Sequence, residues 1–237
     1  MKRLEGRVAV VTGGSKGIGR AIGRLLAQEG ANVLLAARNR PALEACVEAL
    51  RAEGLSVDGL ATDVSVEDQV QRLIKTAVER FGRVDILVNN AGVGIFKPVV
   101  DLSADEFDTM WKTNMRGAFL PTKAVLPYMA RAKSGNIVFI SSLAGKNSVK
   151  GGAGYSATKW AMRGFASSLM LEVREQNIRV VTIFPGSVDT AFSTTGKKGE
   201  QITQPEDVAQ AVLFAITAPE RSMFSEIDVR PTNPAKG

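Results

Sequence analysis

The 237-residue chain has no histidine and a single cysteine, and each shortage closes off a chemistry. Without histidine, a His-ligated metal site and a Ser-His-Asp triad are both excluded, and no metal site is expected. Any general acid or base must then be Tyr, Lys, Asp, Glu or Cys46. Cys46 alone forms no intrachain disulfide, which removes the secreted, bridge-stapled folds. Long apolar runs are missing too. The stretch Val8 to Val11 is too short for a signal-peptide core or a membrane span, so the expected compartment is the cytoplasm, with no membrane partner. Linkers rich in Pro, Gly or Ser, internal repeats and low-complexity tracts are absent, and residues 1–237 read as one domain.

What is present is an ordinary globular mixture. A hydrophobic fraction of 45% against 23% charged residues is enough for a packed core and rules out global disorder. The net charge of +6 invites a nucleic-acid reading. The cations are interleaved with acids, however, as between Glu44 and Glu53 and between Glu67 and Glu79, and Glu200 follows Lys197-Lys198. Scattered charge of this kind belongs to solvated helix faces, and no nucleic-acid partner is expected.

Short β-branched runs alternate with long helical patterns. Strands are expected at Val8–Thr12, Asn32–Ala36, Ser56–Leu60, Val84–Val88, Asn136–Ile140, Arg179–Phe184 and Glu226–Val229. Between them the 3.6-residue period predicts helices over Ile18–Glu29, Arg40–Glu53, Val66–Phe81, Ala104–Met129, Tyr155–Glu175 and Pro205–Thr217. This rhythm implies right-handed βαβ units. The fold class is therefore α/β, a doubly wound, Rossmann-type, seven-stranded and mostly parallel sheet with helices on both faces.

The segment Thr12-Gly13-Gly14-Ser15-Lys16-Gly17-Ile18-Gly19 lies between the first strand and the first helix. Glycines there permit positive φ and close approach of a pyrophosphate, while the helix start offers free N–H groups. The second strand ends Ala36-Ala37-Arg38-Asn39-Arg40, where an NAD site usually carries an acid for the ribose 2′-hydroxyl. Two cations, Lys16 and Arg38, and no carboxylate suit a 2′-phosphate, so NADP(H) is the expected cofactor. The competing reading leaves Arg38 and Arg40 as solvating residues at a helix start, where cations oppose the helix dipole.

Tyr155-Ser156-Ala157-Thr158-Lys159 opens the helix after the fifth strand and sets Tyr155 and Lys159 one turn apart on one face. A nearby ammonium, together with the positive nicotinamide of an oxidised cofactor, is expected to lower the phenol pKa from its usual value near 10. Ser141-Ser142 and Asn89-Asn90-Ala91-Gly92 each end a strand, where α/β sheets put their ligands, and Asn114 sits inside a helical pattern that disfavours it.

In this order, from the glycine loop through Asp63, Asn89 to Gly92, Asn114, Ser142, Tyr155 with Lys159, and Pro185-Gly186, the chain resembles the short-chain dehydrogenase/reductase family from Arg7 to about Pro231. The resemblance implies an enzyme that moves a hydride between NADP(H) and a carbonyl or secondary alcohol, with ketone or aldehyde reduction favoured. It implies that Tyr155 is the acid and base, that Ser142 bonds the substrate oxygen, and that Lys159 tunes the phenol and holds the nicotinamide ribose. Asn114 would distort its helix and anchor a water. The cofactor would be held by Gly13, Ser15, Lys16, Gly17, Ile18, Gly19, Arg38, Asn39, Asp63, Val64, Asn90, Ala91, Gly92, Tyr155, Lys159, Pro185, Gly186, Val188 and Thr190. Asp63 would contact the adenine; its alternative is a helix N-cap before Val66. Residues at about 191–204 correspond to a short substrate loop. Relatives pair into homodimers or homotetramers through the Asn114 and Tyr155 helices, which sets the same expectation here.

Two other readings stand beside this one. A 3-oxoacyl-[acyl-carrier-protein] reductase needs a basic approach for its carrier. Such enzymes often have arginine where this chain has Leu171, although Arg131 and Lys133 could supply charge. A non-catalytic NADP(H) sensor would carry the glycine loop with a broken catalytic set.

Overall fold

A computed structural model describes residues 2–192 and 202–232. Among them seven parallel strands form one sheet: β1 (Val8–Thr12), β2 (Asn32–Ala37), β3 (Val57–Ala61), β4 (Ile86–Asn89), β5 (Gly135–Ile140), β6 (Ile178–Pro185) and β7 (Glu226–Val229). Their order across the sheet is β3-β2-β1-β4-β5-β6-β7. The order reverses direction between β1 and β4, so the carboxyl ends of those strands open a crevice at the switch point. Every strand pairing is parallel. β1 and β5 are buried at every position because helices cover both faces, which is why their sequences are apolar runs rather than alternations.

The helices are α1 (Gly17–Gln28), α2 (Arg40–Ala52), α3 (Glu67–Phe81), α4 (Ala104–Met110), α5 (Gly117–Ala132), α6 (Ala153–Val173) and α7 (Pro205–Ile216). One core packs α1, α2 and α7 on the sheet through Ile22, Leu26, Leu43, Leu50 and Leu213. The other packs α3, α5 and α6 on the opposite face through Leu73, Ile74, Val125, Met129 and Leu169.

The largest departure from the sequence reading lies between residues 104 and 132. The expected continuous helix is two α-helices joined by a π-helical turn, Trp111–Arg116, with Asn114 buried inside it. A π turn inserts one residue into the helical ladder, often at a functional site. Here it lets an asparagine side chain leave local competition and bond across the fold. The fourth strand starts two residues late for a different reason. Before Ile86, the Asp85 backbone still bonds Val8 and Asn136, and its carboxylate adds a bond by accepting from the Val8 backbone N–H at 2.9 Å, so a side chain supplements the ladder where the regular strand begins. α6 starts two residues early and gives way after Val173 to a 3-10 turn that ends at Asn177 in left-handed conformation (φ 56°).

Candidate active site

The crevice floor is built by the loop after β1. Gly13 and Gly17 adopt φ of 65° and 54°, a region that strains side-chain-bearing residues. Gly19 has no room for a side chain, because a Cβ there would lie 2.3 Å from the Gly13 carbonyl oxygen. The loop is stitched to β4. The Thr12 hydroxyl accepts from the N–H groups of Asn90 (3.0 Å) and Ala91 (3.1 Å), and the Asn90 amide donates to the Thr12 and Gly13 carbonyls at 2.9 and 3.2 Å. Asn90 therefore shapes the cradle with its side chain. Lys16 is the N-cap of α1 but its side chain makes no cap bond, leaving the first N–H groups of the helix facing the crevice mouth. Ser15 precedes it in the same turn, and Ile18 packs partly into the core below.

The register pairs Thr12 with Ala36, so Arg38 follows the end of β2 beside the glycine loop, which the Gly14 N–H ties to the Ala36 carbonyl at 3.0 Å. Lys16 and Arg38 are both exposed, and neither is ion-paired among the described residues. Asn39 caps α2, accepting from the Ala42 N–H at 2.9 Å. Asp63 does not cap α3: the N-cap is Val66, and the Asp63 carboxylate closes a tight turn by accepting from the Ser65 N–H (2.9 Å) and hydroxyl (2.7 Å). Val64 is buried, packed where a Cβ on Gly117 would touch it.

On the other side of the crevice, β5 leads into Ser141 and Ser142. The Ser141 hydroxyl is spent bracing α6, donating to the Lys159 carbonyl at 3.2 Å. Ser142 caps the following 3-10 turn by accepting from the Ala144 N–H, and its hydroxyl acts on the Tyr155 phenol, lowering its pKa. The geometry thus separates two adjacent serines that the sequence offers as a pair. Lys159 is buried, and its ammonium donates to the Ile140 carbonyl at 3.0 Å while lying 5.7 Å from the centre of the Tyr155 ring.

Asn114 is the knot between elements. Its Oδ1 accepts from the Val93 N–H (2.8 Å), and its Nδ2 donates to the Val93 carbonyl (2.9 Å) and to the Thr158 hydroxyl (2.9 Å). Both ends of the amide are thereby used to tie the loop after β4 to α6. Gly92 sits against this knot, where a Cβ would be 3.3 Å from Asn114 Oδ1 and 3.7 Å from Lys159 Nζ. Thr158 is a positioning residue that the sequence reading passed over; its hydroxyl donates to the Tyr155 carbonyl at 2.8 Å. Its place between Tyr155 and Lys159 was the available signal.

The electrostatics run opposite to one expectation. Burial pushes the Tyr155 phenol up to about 12, with the Ser142 hydrogen bond only partly offsetting it. Burial also pulls the Lys159 ammonium down to about 8, and it donates to the Ile140 carbonyl. The protein by itself therefore holds a neutral phenol.

The segment after β6 closes the crevice. Pro185 pairs with Val229, and the Gly186 N–H donates to the Val229 carbonyl at 2.8 Å. A Cβ on Gly186 would lie 3.1 Å from Leu143, next to the Ser142 turn. Val188 is buried and bridges to Thr203, and the Thr190 methyl lies where a Cβ on Gly17 would meet it at 3.4 Å. The crevice thus brings together the glycine loop, Gly92, the Asn114-Ser142-Tyr155-Lys159 group and the 185–190 segment. Most of the substrate loop expected at about 191–204, residues 193–201, lies outside the described residues.

The short chain dehydrogenase family profile matches residues 7–201. The chain belongs to the short-chain dehydrogenase/reductase family. Its curated relatives include an uncharacterized oxidoreductase of Staphylococcus aureus (strain MRSA252), 38% identical over 232 residues that cover 98% of this chain and 100% of the relative. One from Staphylococcus epidermidis is 34% identical over the same coverage. Among solved structures, an alcohol dehydrogenase from the archaeon Thermococcus sibiricus complexed with 5-hydroxy-NADP superposes with a TM-score of 0.89 at 35% identity, covering 98% of this chain and 99% of that one. A metagenomic short-chain oxidoreductase in complex with NADP gives 0.87 at 38% identity, with 98% and 100% covered. The chain is an oxidoreductase of this family with its Rossmann-type fold. None of the helices among the described residues is long and apolar enough to cross a membrane.

Proposed function

We propose that this short-chain dehydrogenase/reductase is an NADP(H)-dependent enzyme that interconverts a carbonyl compound and a secondary alcohol, working mainly as a reductase, with Tyr155 as the proton-transfer residue. The observation that carries the reading is the buried Tyr155 phenol on which Ser142 acts, with Lys159 held one turn away by the Ile140 carbonyl. The residues fit the cofactor: an uncapped helix start, a loop whose glycines exclude side chains, and two cations without an ion pair among the described residues, Lys16 in that loop and Arg38 after β2. The cations suit the extra phosphate of NADP(H), in keeping with the NADP complexes of the two structural relatives.

When bound, the nicotinamide supplies hydride exchange at the substrate carbon. Ser142 orients the carbonyl oxygen, and Tyr155, whose phenol burial favours in its protonated form, donates its proton to that oxygen as negative charge develops. Running the reaction as an oxidation needs a phenolate, so the phenol must then feel more positive charge than Lys159 alone provides. Lys159 would hold the ribose hydroxyls of the bound cofactor, Asn114 and Thr158 keep α6 in register with the loop after β4, and Gly92 leaves the space between them clear. Exposed Phe119 on α5 and Trp160 and Leu171 on α6 support assembly of two or four copies through these helices.

The test is oxidation of NADPH, and separately of NADH, against a panel of ketones, aldehydes, 3-oxoacyl thioesters, quinones and sugars. Turnover of a carbonyl substrate with NADPH strongly preferred supports the assignment. Tight NADPH binding with silence across the panel overturns it in favour of a sensor.

A further inference from the structure

We propose that Phe96 and Phe192 form an aromatic clamp on Tyr155 that selects uncharged carbonyl compounds bearing an aryl group next to the carbonyl carbon. The inference rests on the carbonyl-reductase reading and names its substrate class.

Two phenyl rings lie against the phenol ring of Tyr155, Phe96 at 5.1 Å between centroids and Phe192 at 5.9 Å, tilted by 50° and 48°. They come from different parts of the chain, one from the loop after β4 and the other from the segment after β6. Both converge on Gly94: a Cβ there would stand 2.8 Å from Phe192 Cζ and 2.9 Å from Phe96 Cε2. The missing side chain at residue 94 is what lets both rings close on the tyrosine. Phe96 is half-buried and Phe192 is 46% exposed, whereas Tyr155 is only 6% exposed. A large apolar ring left open to solvent beside the proton donor is a surface waiting for a partner.

The rest of the surround is apolar as well. Met110 and Ala144 pack with Tyr155, and Val93, Ile95 and Leu102 join them. Among the described residues the influences on the phenol are burial and Ser142, with no charged group among them. Lys97, the cation on the Phe96 loop, is ion-paired to Glu106. Among the described residues the nearby ammonium, Lys159, is buried and donates to the Ile140 carbonyl, so a carboxylate or phosphate on the substrate would lose its hydration for little compensation there, whereas an aryl ring would meet tilted ring partners. The clamp therefore discriminates by what it leaves unpaired as much as by what it touches.

The magnitude follows from ring contacts. Each tilted aromatic pair contributes roughly 2- to 12-fold beyond simple burial, so two together give roughly 5- to 150-fold. The NADPH-loaded enzyme is assayed with acetophenone, with 2-butanone, and with benzoylformate, which keeps the phenyl ketone and adds a carboxylate. Acetophenone is expected to exceed both in kcat/KM. Phe192→Ala should shrink the acetophenone-to-2-butanone ratio by roughly 2- to 12-fold through KM, with NADPH affinity by fluorescence titration unchanged. Gly94→Ala should shrink it as well, since the new methyl meets only the far ends of two side chains and displaces the rings without opening the core. Calorimetric titration of 1-phenylethanol into the NADP-loaded protein gives the same comparison without turnover, and weaker binding to Phe192→Ala is expected. Benzoylformate turned over as well as acetophenone, or a Phe192→Ala variant with unchanged aryl affinity, overturns the clamp. Efficient reduction of charged or sugar carbonyls alone sinks the clamp and leaves the carbonyl-reductase reading standing. Silence with every carbonyl despite NADPH binding overturns both.

Discussion

Replacing Lys159 by methionine removes an ammonium that is 4% exposed and whose mapped bond is a single one to the Ile140 carbonyl. Burial holds this lysine at about 8 against an ordinary 10.5, which corresponds to a cost of about 3 kcal/mol for keeping it charged at neutral pH. Against that gain, the lost hydrogen bond to Ile140 takes back about 1 kcal/mol. Lys159→Met is therefore expected to stabilise the cofactor-free protein by about 2 kcal/mol at pH 7, or roughly 4–8 °C in Tm for a chain of this size. The pH dependence gives the sharper signature. Between about 8 and 10.5 the unfolded lysine is protonated and the folded one is not, so the unfolded state binds more protons and wild-type stability rises with pH. Below 8 both states are charged and the full penalty is present. The methionine variant lacks this rise, and the gap between the two proteins should close as the pH approaches 10. Urea unfolding of both proteins from pH 6.5 to 10 measures it, and other titrating groups cancel in the difference. Parallel curves, or a variant less stable at pH 7, would refute the reasoning. The same substitution is expected to abolish turnover, because the stability it recovers is what the site spends to keep a cation there.

Arg38→Asp should cost roughly 10- to 150-fold in kcat/KM with NADPH while NADH use is preserved or improved, since one charge-assisted phosphate bond is worth about 1.5–3 kcal/mol; equal use of both cofactors by the wild type would sink the phosphate reading. Gly19→Ala places a methyl 2.3 Å from the Gly13 carbonyl, so the loop must shift. Cofactor affinity should fall by at least about tenfold and stability by about 1–3 kcal/mol, read by fluorescence titration and thermal unfolding.

Much of the sheet was legible because buried parallel strands are apolar runs bounded by glycine or polar residues, and all six pairings join strands the sequence pattern identified. The boundaries slipped where a side chain joined the backbone bonding at a strand end, as the Asp85 carboxylate does before β4. The helix containing Asn114 shows the reverse: the residue advertised trouble, but the π turn that resolves it depends on Val93 and Thr158, which lie far from it in the chain. The candidate site divides the same way. Tyr155 and Lys159 announce themselves by spacing within one helix, and the glycine loop by its place between a strand and a helix. The roles of Ser141 and Ser142, by contrast, separate only when the fold puts one against the Lys159 carbonyl and the other against the phenol. The phenol itself is the clearest limit. Spacing suggested a lowered pKa, but the degree of burial, which no local pattern encodes, pushes it to about 12. The rings of Phe96 and Phe192 were silent in the sequence for the same reason, since only the sheet order brings their loops together over Gly94.

The proton transfer assigned to Tyr155 is best tested by single-turnover reduction of a carbonyl substrate at saturating NADPH, comparing wild type with Tyr155→Phe. Hydride transfer followed by NADPH absorbance should slow by about 100-fold or more, with the NADPH dissociation constant unchanged. A phenylalanine variant that reduces the substrate at the wild-type rate would contradict the account at its centre.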